Sequence, residues 1–309
     1  MKITSCLVKS FRDLFNQEIL KAVLISALPL FLFYLLLLSL FWNQIITFAN
    51  FIISWVPFSI LRLNGAFFIL FFLWFISVVV SFAFVTALLG PLLLRKFKEV
   101  GYYFYILITI LFFSVFYAVI FVSEWDYINT EVQKFLTLLP FDTVSKGVGA
   151  IVAVYIFYNL FILSLFGIIF IFAKPFLEAI RELEYPDVEI NTEDKFALKR
   201  VIIKDIFMFL ALFMILFPLF FIPVINIGVQ WFLWTKLYHD SFLYFVCKEY
   251  CSKEEFEELK KHELKTILIA VIAASFNFLP IVNFFAPFFA IIMFFHCIME
   301  LKLKKEVNA

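Results

Sequence analysis

Four long apolar runs decide what this chain can fold into: Ala22 to Trp42, Ala66 to Leu94, Phe104 to Val122 and Val148 to Ala173. As a helix the first is ~31 Å long, enough to cross the hydrocarbon of a bilayer. The second would reach ~43 Å, so it must tilt or project beyond the lipid. Water cannot accommodate that much apolar surface. Hydrophobic residues make up 65% of the chain and charged residues 16%, against roughly 45–50% and 25% in soluble domains. Membrane strands would be about ten residues long and alternate in polarity, and these runs do not alternate. The sequence therefore predicts an all-α integral membrane protein with four long transmembrane helices. The 48 Phe against 7 Gly suit lipid-facing helices better than glycine-rich close packing.

Lys and Arg positions set the direction of these spans, because basic residues stay cytoplasmic. Lys2, Lys9, Arg12 and Lys21 precede the first run, Arg95, Lys96 and Lys98 follow the second, and Lys174, Arg181, Lys195, Lys199, Arg200 and Lys204 follow the fourth. Segments 43–65 and 123–147 hold only Arg62, Lys134 and Lys146, and the second also carries Glu124, Asp126, Glu131 and Asp142. Both termini are expected in the cytoplasm. The first run is too long for the apolar part of a cleavable signal and lacks a small-residue cleavage site. Cys6, Cys247, Cys251 and Cys297 match no usual metal spacing. Reduced thiols and no cofactor are expected.

The sequence also repeats itself twice. Val56-Pro57-Phe58 leads through an apolar run to Gly90-Pro91-Leu92, and Leu139-Pro140-Phe141 leads likewise to Lys174-Pro175-Phe176; the two proline spacings differ by one residue. Each unit reads as a span out, a short interfacial helix and a long span back, with Pro91 and Pro175 as hinges. Further on, Phe221-Ile222-Pro223-Val224-Ile225-Asn226 is echoed by Phe278-Leu279-Pro280-Ile281-Val282-Asn283, and His239 and His296 each lie sixteen residues beyond the proline. A proline removes a backbone donor and bends the chain out of helix. An asparagine three positions on can cap a returning helix. Pro223 and Pro280 thus hinge two helical hairpins. Segments 1–100, 101–186 and 187–309 are the first membrane hairpin, its repeat, and the two proline-hinged hairpins with their cytoplasmic connections.

The arms of the later hairpins look short. Ile206–Phe221 and Thr266–Phe278 make ~24 and ~20 Å of helix, and the returns Ile227–Thr235 and Phe284–Phe295 make ~14 and ~18 Å. Each falls below the ~30 Å of hydrocarbon. Both ends of each hairpin carry basic residues, Lys204 and Lys248 for one, Lys265, Lys302, Lys304 and Lys305 for the other. The expectation is two half-penetrating hairpins entered from the cytoplasm, the alternative being four short full spans. Ser252 and Glu255 form a capping box, with Glu257 and Lys261 paired one turn apart beyond it, and Thr192 is placed to cap the helix entering the first hairpin.

Ionisable or amide side chains at membrane depth are candidates for a substrate path. These are Lys236 and His239 beside Asp240, His296 with Glu300 one turn on, and Asn226 and Asn283 at the hairpin tips. Lys21 and Lys174 close the first and fourth spans at the cytoplasmic side. The plainer reading makes the histidines and lysines interfacial or paired within the bundle, the asparagines helix caps, Lys174 an anchor and Asn159 an interhelical hydrogen bond. No metal site is expected, because three or four converging ligands are not apparent.

The order and spacing of Ala173-Lys174-Pro175-Phe176, of Pro223 to Trp231, and of Phe278-Leu279-Pro280-Ile281-Val282-Asn283 with Pro287 resemble the CysZ-like and etoposide-induced-protein family of membrane proteins. The resemblance covers about Gly147 to Lys304 and the first span. It implies an inner-membrane protein with long spans and half-penetrating hairpins that forms homo-oligomers and passes sulfate. Two departures stand out: the second long hairpin, and the segment before the first span. Where the family has a glycine, an apolar residue and two arginines, Ile19-Leu20-Lys21-Ala22 keeps one cation, without the bidentate fork of an arginine. With no GxxxxGK[ST] phosphate loop, the expected function is a gradient-driven transporter or channel for a small inorganic anion. A non-transporting membrane scaffold is the alternative. No enzyme and no nucleic-acid partner are expected.

Overall fold

The computed structural model describes residues 3–308 apart from 15, 54–57, 97–98, 139–140, 189–197, 223–224, 262 and 280–281. Pro57, Pro140, Thr192, Pro223 and Pro280 thus lie outside the described residues. The rest is helical, with no strand among the described residues. An amphipathic helix α1 (Ile3–Leu14) opens the chain. Then come α2 (Gln17–Leu40), α3 (Trp42–Ile53) and α4 (Phe58–Lys96), followed by α5 (Glu99–Ser123), α6 (Trp125–Leu138) and α7 (Phe141–Glu184). Long, short, very long: the element order repeats as the proline spacing implied. Each short helix starts on a tryptophan, a side chain suited to the headgroup level, and α5 meets α6 at a bend of 77°. Pro91 and Pro175 fall inside α4 and α7 and do not end either helix.

Packing crosses between the two units. α2 and α3 lie against α7, while α4 lies against α5. Tyr34 of α2 donates to the Leu160 carbonyl at 3.1 Å and meets Ser164 Oγ at 2.6 Å, and Phe31 packs edge-on to Phe161 at 5.9 Å. On the other side Trp74 Nε1 donates to the Ser114 carbonyl at 3.1 Å, and Ser81 and Tyr117 share a hydrogen bond of 2.7 Å. Without a hydrophobic force between helices in lipid, such polar contacts and close approaches hold the pairs. The outward faces stay apolar: Leu36, Leu40, Val80, Phe84, Phe112 and Val119 are all exposed, as lipid contact requires.

The C-terminal part forms two hairpins. The first joins α8 (Leu198–Leu216), ending in a 3-10 turn at Phe217–Phe221, to α9 (Ile225–Tyr250). After α10 (Lys253–Lys261), the second joins α11 (Glu263–Ser275) through 3-10 turns at 276–278 and 282–285 to α12 (Ala286–Asn308). The capping box is present: Ser252 N donates to Glu255 Oε2 at 2.8 Å, and Glu255 N to Ser252 Oγ at 3.2 Å. α12 is the core of the molecule. Phe288 through Phe295 are fully buried, enclosed by α1, α7, α9 and α11.

Among the described residues, five helices are long and apolar enough to cross a membrane, or six if the bent pair α5–α6 counts as one span. They include 202–220 and 282–303, so one arm of each later hairpin passes that test while its partner, α9 or α11, does not. α9 continues unbroken for 26 residues, so its short apolar stretch before Lys236 and the charged stretch beyond it form one helix. Helix propensity and packing against α8 and α11 carry it past the charges.

Gly149 marks the closest approach in the fold, where a Cβ would stand 2.4 Å from Asn50 Oδ1 of α3. An alanine there fits once the Asn50 side chain rotates, whereas a leucine must push the helices apart. Gly149→Leu is expected to destabilise the detergent-solubilised protein by about 1–3 kcal/mol, read as a lowered Tm. Gly149→Ala should stay near the parent value, as should Asn50→Ala/Gly149→Ala.

Candidate functional site

Three polar clusters lie within this apolar body. The deepest is at the tip of the second hairpin. Asn277 and Asn283 flank the turn, and with Phe278 they line a cavity of about 120 Å³ closed by Tyr155 and Tyr158 of α7, Gln230 of α9, and Phe71, Phe72 and Phe75 of α4. That is room for several waters. Tyr238 donates to Asn277 Oδ1 at 3.1 Å, which fixes the amide and leaves its buried Nδ2 without a partner. Asn283 donates its Nδ2 to the Tyr158 hydroxyl and leaves Oδ1 without a partner. With the amide turned over, the Tyr158 O–H donates to Oδ1 and the NH2 group is the one left free, since an amide and a hydroxyl can pair in either sense. Either way, two tyrosine-held amides on the lining of an aromatic cavity keep unspent hydrogen-bonding capacity. Asn226, at the tip of the first hairpin, is buried in the first turn of α9 and accepts from Gln230. Asn226 and Asn283 thus spend their side chains on neighbours rather than on the expected caps.

The second cluster joins α8, α9 and α11. Lys236 pairs with Asp240 at 2.9 Å; His239 reaches Asp240 Oδ1 at 2.9 Å and Thr266 Oγ1 at 3.0 Å. Ser241 donates to Asp205 at 2.9 Å beside them. Burial pushes the Asp240 carboxyl up, but the hydrogen bonds from His239 and Lys236 outweigh it and hold the group below the usual carboxylate range. The third cluster seals the base of α12. His296 is fully buried; its Nε2 lies 2.8 Å from Asp13 Oδ2 and its Nδ1 2.9 Å from the Tyr185 hydroxyl. Lys9 donates to Tyr185 at 3.1 Å, Ser5 to Glu300 at 2.6 Å, and Arg12 pairs with Glu184. Ligand atoms of Asp13, Glu184 and His296 lie within 4.8 Å of one another, close enough for a cation. Arg12 and Lys9 already supply positive charge there, so the cluster reads as an ion-paired joint between α1, α7 and α12.

The sequence-derived candidates therefore divide. Asn226 and Asn283 are buried at the tips, and Lys236 and His239 share the second cluster. His296 is locked in the third, so the two histidines take different partners. Lys174 pairs at the surface with Glu249 at 3.0 Å, and Lys21 is exposed. Sequence reasoning missed Asn277, Gln230, Tyr155 and Tyr158. The repeat drew attention to the echoed asparagines, and Asn277 has no counterpart before Pro223, where Phe220 stands. It also missed Asp13 and Tyr185, which meet α12 only through tertiary packing.

Asp240 gives a pH dependence with a definite sign. Its folded-state pKa is depressed, so its stabilisation is complete above the unfolded carboxylate value, about 3.9, and vanishes as pH falls through the lower folded one. In thermal melts across acid pH, Asp240→Asn should lie below the parent at neutral pH and converge with it at the acid end. For the third cluster, His296→Ala or Asp13→Ala alone should cost about 1.5–3 kcal/mol, because each removes a buried hydrogen bond to a charged group. The double variant should cost much less than the sum of the two.

Among curated proteins and solved structures no significant match is found. A family model described as sulfate transporter CysZ/etoposide-induced protein 2.4 matches residues 100–287, from the start of α5 through both hairpin tips. The match begins earlier than the resemblance at Gly147 suggested and omits the first span, so Lys21 has no counterpart in it. Since the matched residues make up more than half of the chain and include both amides of the tip cavity, the protein belongs to the sulfate transporter CysZ/etoposide-induced protein 2.4 family.

Proposed function

We propose that the protein passes a small inorganic anion, sulfate by the family's description, through the cavity at the second hairpin tip. The observation that carries this reading is the pair of tip amides, half-buried Asn277 and buried Asn283, each held by a tyrosine hydroxyl and each with a buried polar atom unpartnered. Asn277 Nδ2, joined by Asn283 Nδ2 when that amide turns over to accept from Tyr158, offers neutral donors in a low-dielectric pocket, and these bind an anion without the deep trap that a buried lysine would make. Conduction needs binding favourable enough to admit the ion and weak enough to release it. The cationic residues at the cytoplasmic ends, Lys174 and Lys21 among them, would raise the local anion concentration rather than coordinate the ion.

Half-penetrating hairpins and cytoplasmic termini complete the reading. Along α7, Tyr158 at the tip lies 16 residues from Lys174, which is ~24 Å. Phe31 of α2, in ring contact with tip residue Phe284 at 6.3 Å, lies 14 residues from Gln17, or ~21 Å. Two helices thus agree on a tip that stops short of a ~30 Å hydrocarbon layer. A second copy of the chain completing the far side would fit such a tip, in a bacterial inner membrane.

Purified protein in liposomes should take up labelled sulfate down its gradient. Asn277→Asp keeps the size and sets a carboxylate against the anion; losing a hydrogen bond to a charged group is worth about 1.5–3 kcal/mol, so uptake should fall at least ~10-fold. Asn277→Gln should retain part of the rate. No uptake by folded parent protein, or parent-level uptake by Asn277→Asp, would sink the reading.

A further inference from the structure

We infer that the aromatic edge of α4, formed by Phe71, Phe72 and Phe75, is the gate of the tip cavity and moves together with α5. This rests on the tip cavity being the conducting site. These three side chains form the α4 wall of the cavity, opposite the amides. They sit at i, i+1 and i+4, one face of a helix. Trp74 and Ser81, on a face about 100° away by the same helical geometry, are the residues tied to α5, through Ser114 and Tyr117. α4 is thus fastened to α5 by hydrogen bonds and meets the cavity only through rings.

The rest of the packing agrees. α4 packs most extensively on α5, and much less on α7, α6 and the turn at Phe217–Phe221. Phe71 and Phe72 keep more than a third of their surface exposed, at 36% and 37%, although they line a cavity. They are the rim. The remaining walls belong to α7, α9 and the tip, which pack around buried α12 and have no comparable freedom. A constriction of aromatic side chains closes a pore by excluding water, with no charged plug required. An outward shift of the α4–α5 pair would remove three rings at once and wet Asn277 and Asn283. It would break no hydrogen bond within that pair.

The test reads access to the cavity directly. All four native cysteines are buried, so Asn277→Cys supplies a reporter for a small charged thiol reagent in liposomes. Labelling should be slow in that variant and rise at least ~10-fold when Phe72→Ala/Phe75→Ala is added, a change of about 1.4 kcal/mol in access. Phe72→Leu/Phe75→Leu, which disturbs packing less, should give an intermediate rate. Phe112→Ala on the exposed face of α5 should leave it unchanged. Equal labelling in all backgrounds, with each variant eluting as a single species, would overturn the gate. Faster labelling without sulfate uptake by the parent would keep the gate and remove the anion reading, so the two failures are distinct.

Discussion

Irregular backbone inside a bilayer survives only where protein surrounds it, because lipid offers no hydrogen bonds to a free amide or carbonyl. The two hairpin turns obey this constraint, and much of the architecture serves it. Their backbone groups are satisfied locally: Ile222 N on Leu219 O at 3.1 Å, Asn226 N on Ile222 O at 2.9 Å, Leu279 N on Phe276 O at 3.2 Å, and Asn283 N on Leu279 O at 3.0 Å. Around the second turn stand Phe31 and Phe161, both against Phe284, with Phe11 and Phe289 against Phe276. The long helices of the first part make a jacket in which a bent segment can exist at membrane depth.

That jacket explains the crossed packing of the repeat. If α2 had paired with α4 and α5 with α7, each unit would have been self-contained. With α2 on α7 instead, two of the helices that touch the tip are fastened to each other by Tyr34, and α4–α5 is left as a separate pair at the cavity mouth. One consequence is a rigid side and a mobile side to the same site. The base of the rigid side is closed by α1, whose Asp13, Lys9 and Ser5 hold His296, Tyr185 and Glu300. His296 and Glu300, which looked like part of a path through the membrane, are rivets of this end of the bundle.

Polar chemistry in this chain therefore grades with depth. Full charges sit in pairs away from the tip, where Lys236–Asp240 and Arg12–Glu184 neutralise one another. At the tip only amides and phenols remain. The cost of an unpaired ion in low dielectric imposes that order, and it leaves neutral donors as the groups available to meet a permeating anion.

Helix existence, membrane location and the duplicated layout were legible in the sequence, because apolar run length and proline spacing are local properties that lipid reads directly. The capping box of α10 was legible for the same reason, all its partners lying within one turn. Helix pairing was not. Residues such as Tyr34 and Ser164, or Asp13 and His296, are far apart in the chain, and an all-apolar helix carries no stripe to say which neighbour it faces. The site followed the same division. Echoed motifs led to Asn226 and Asn283, but only tertiary packing could set Tyr238 on Asn277, Tyr158 on Asn283 and three α4 rings across from them. Local hydropathy chose the solvent of each segment; long-range contact chose its partners.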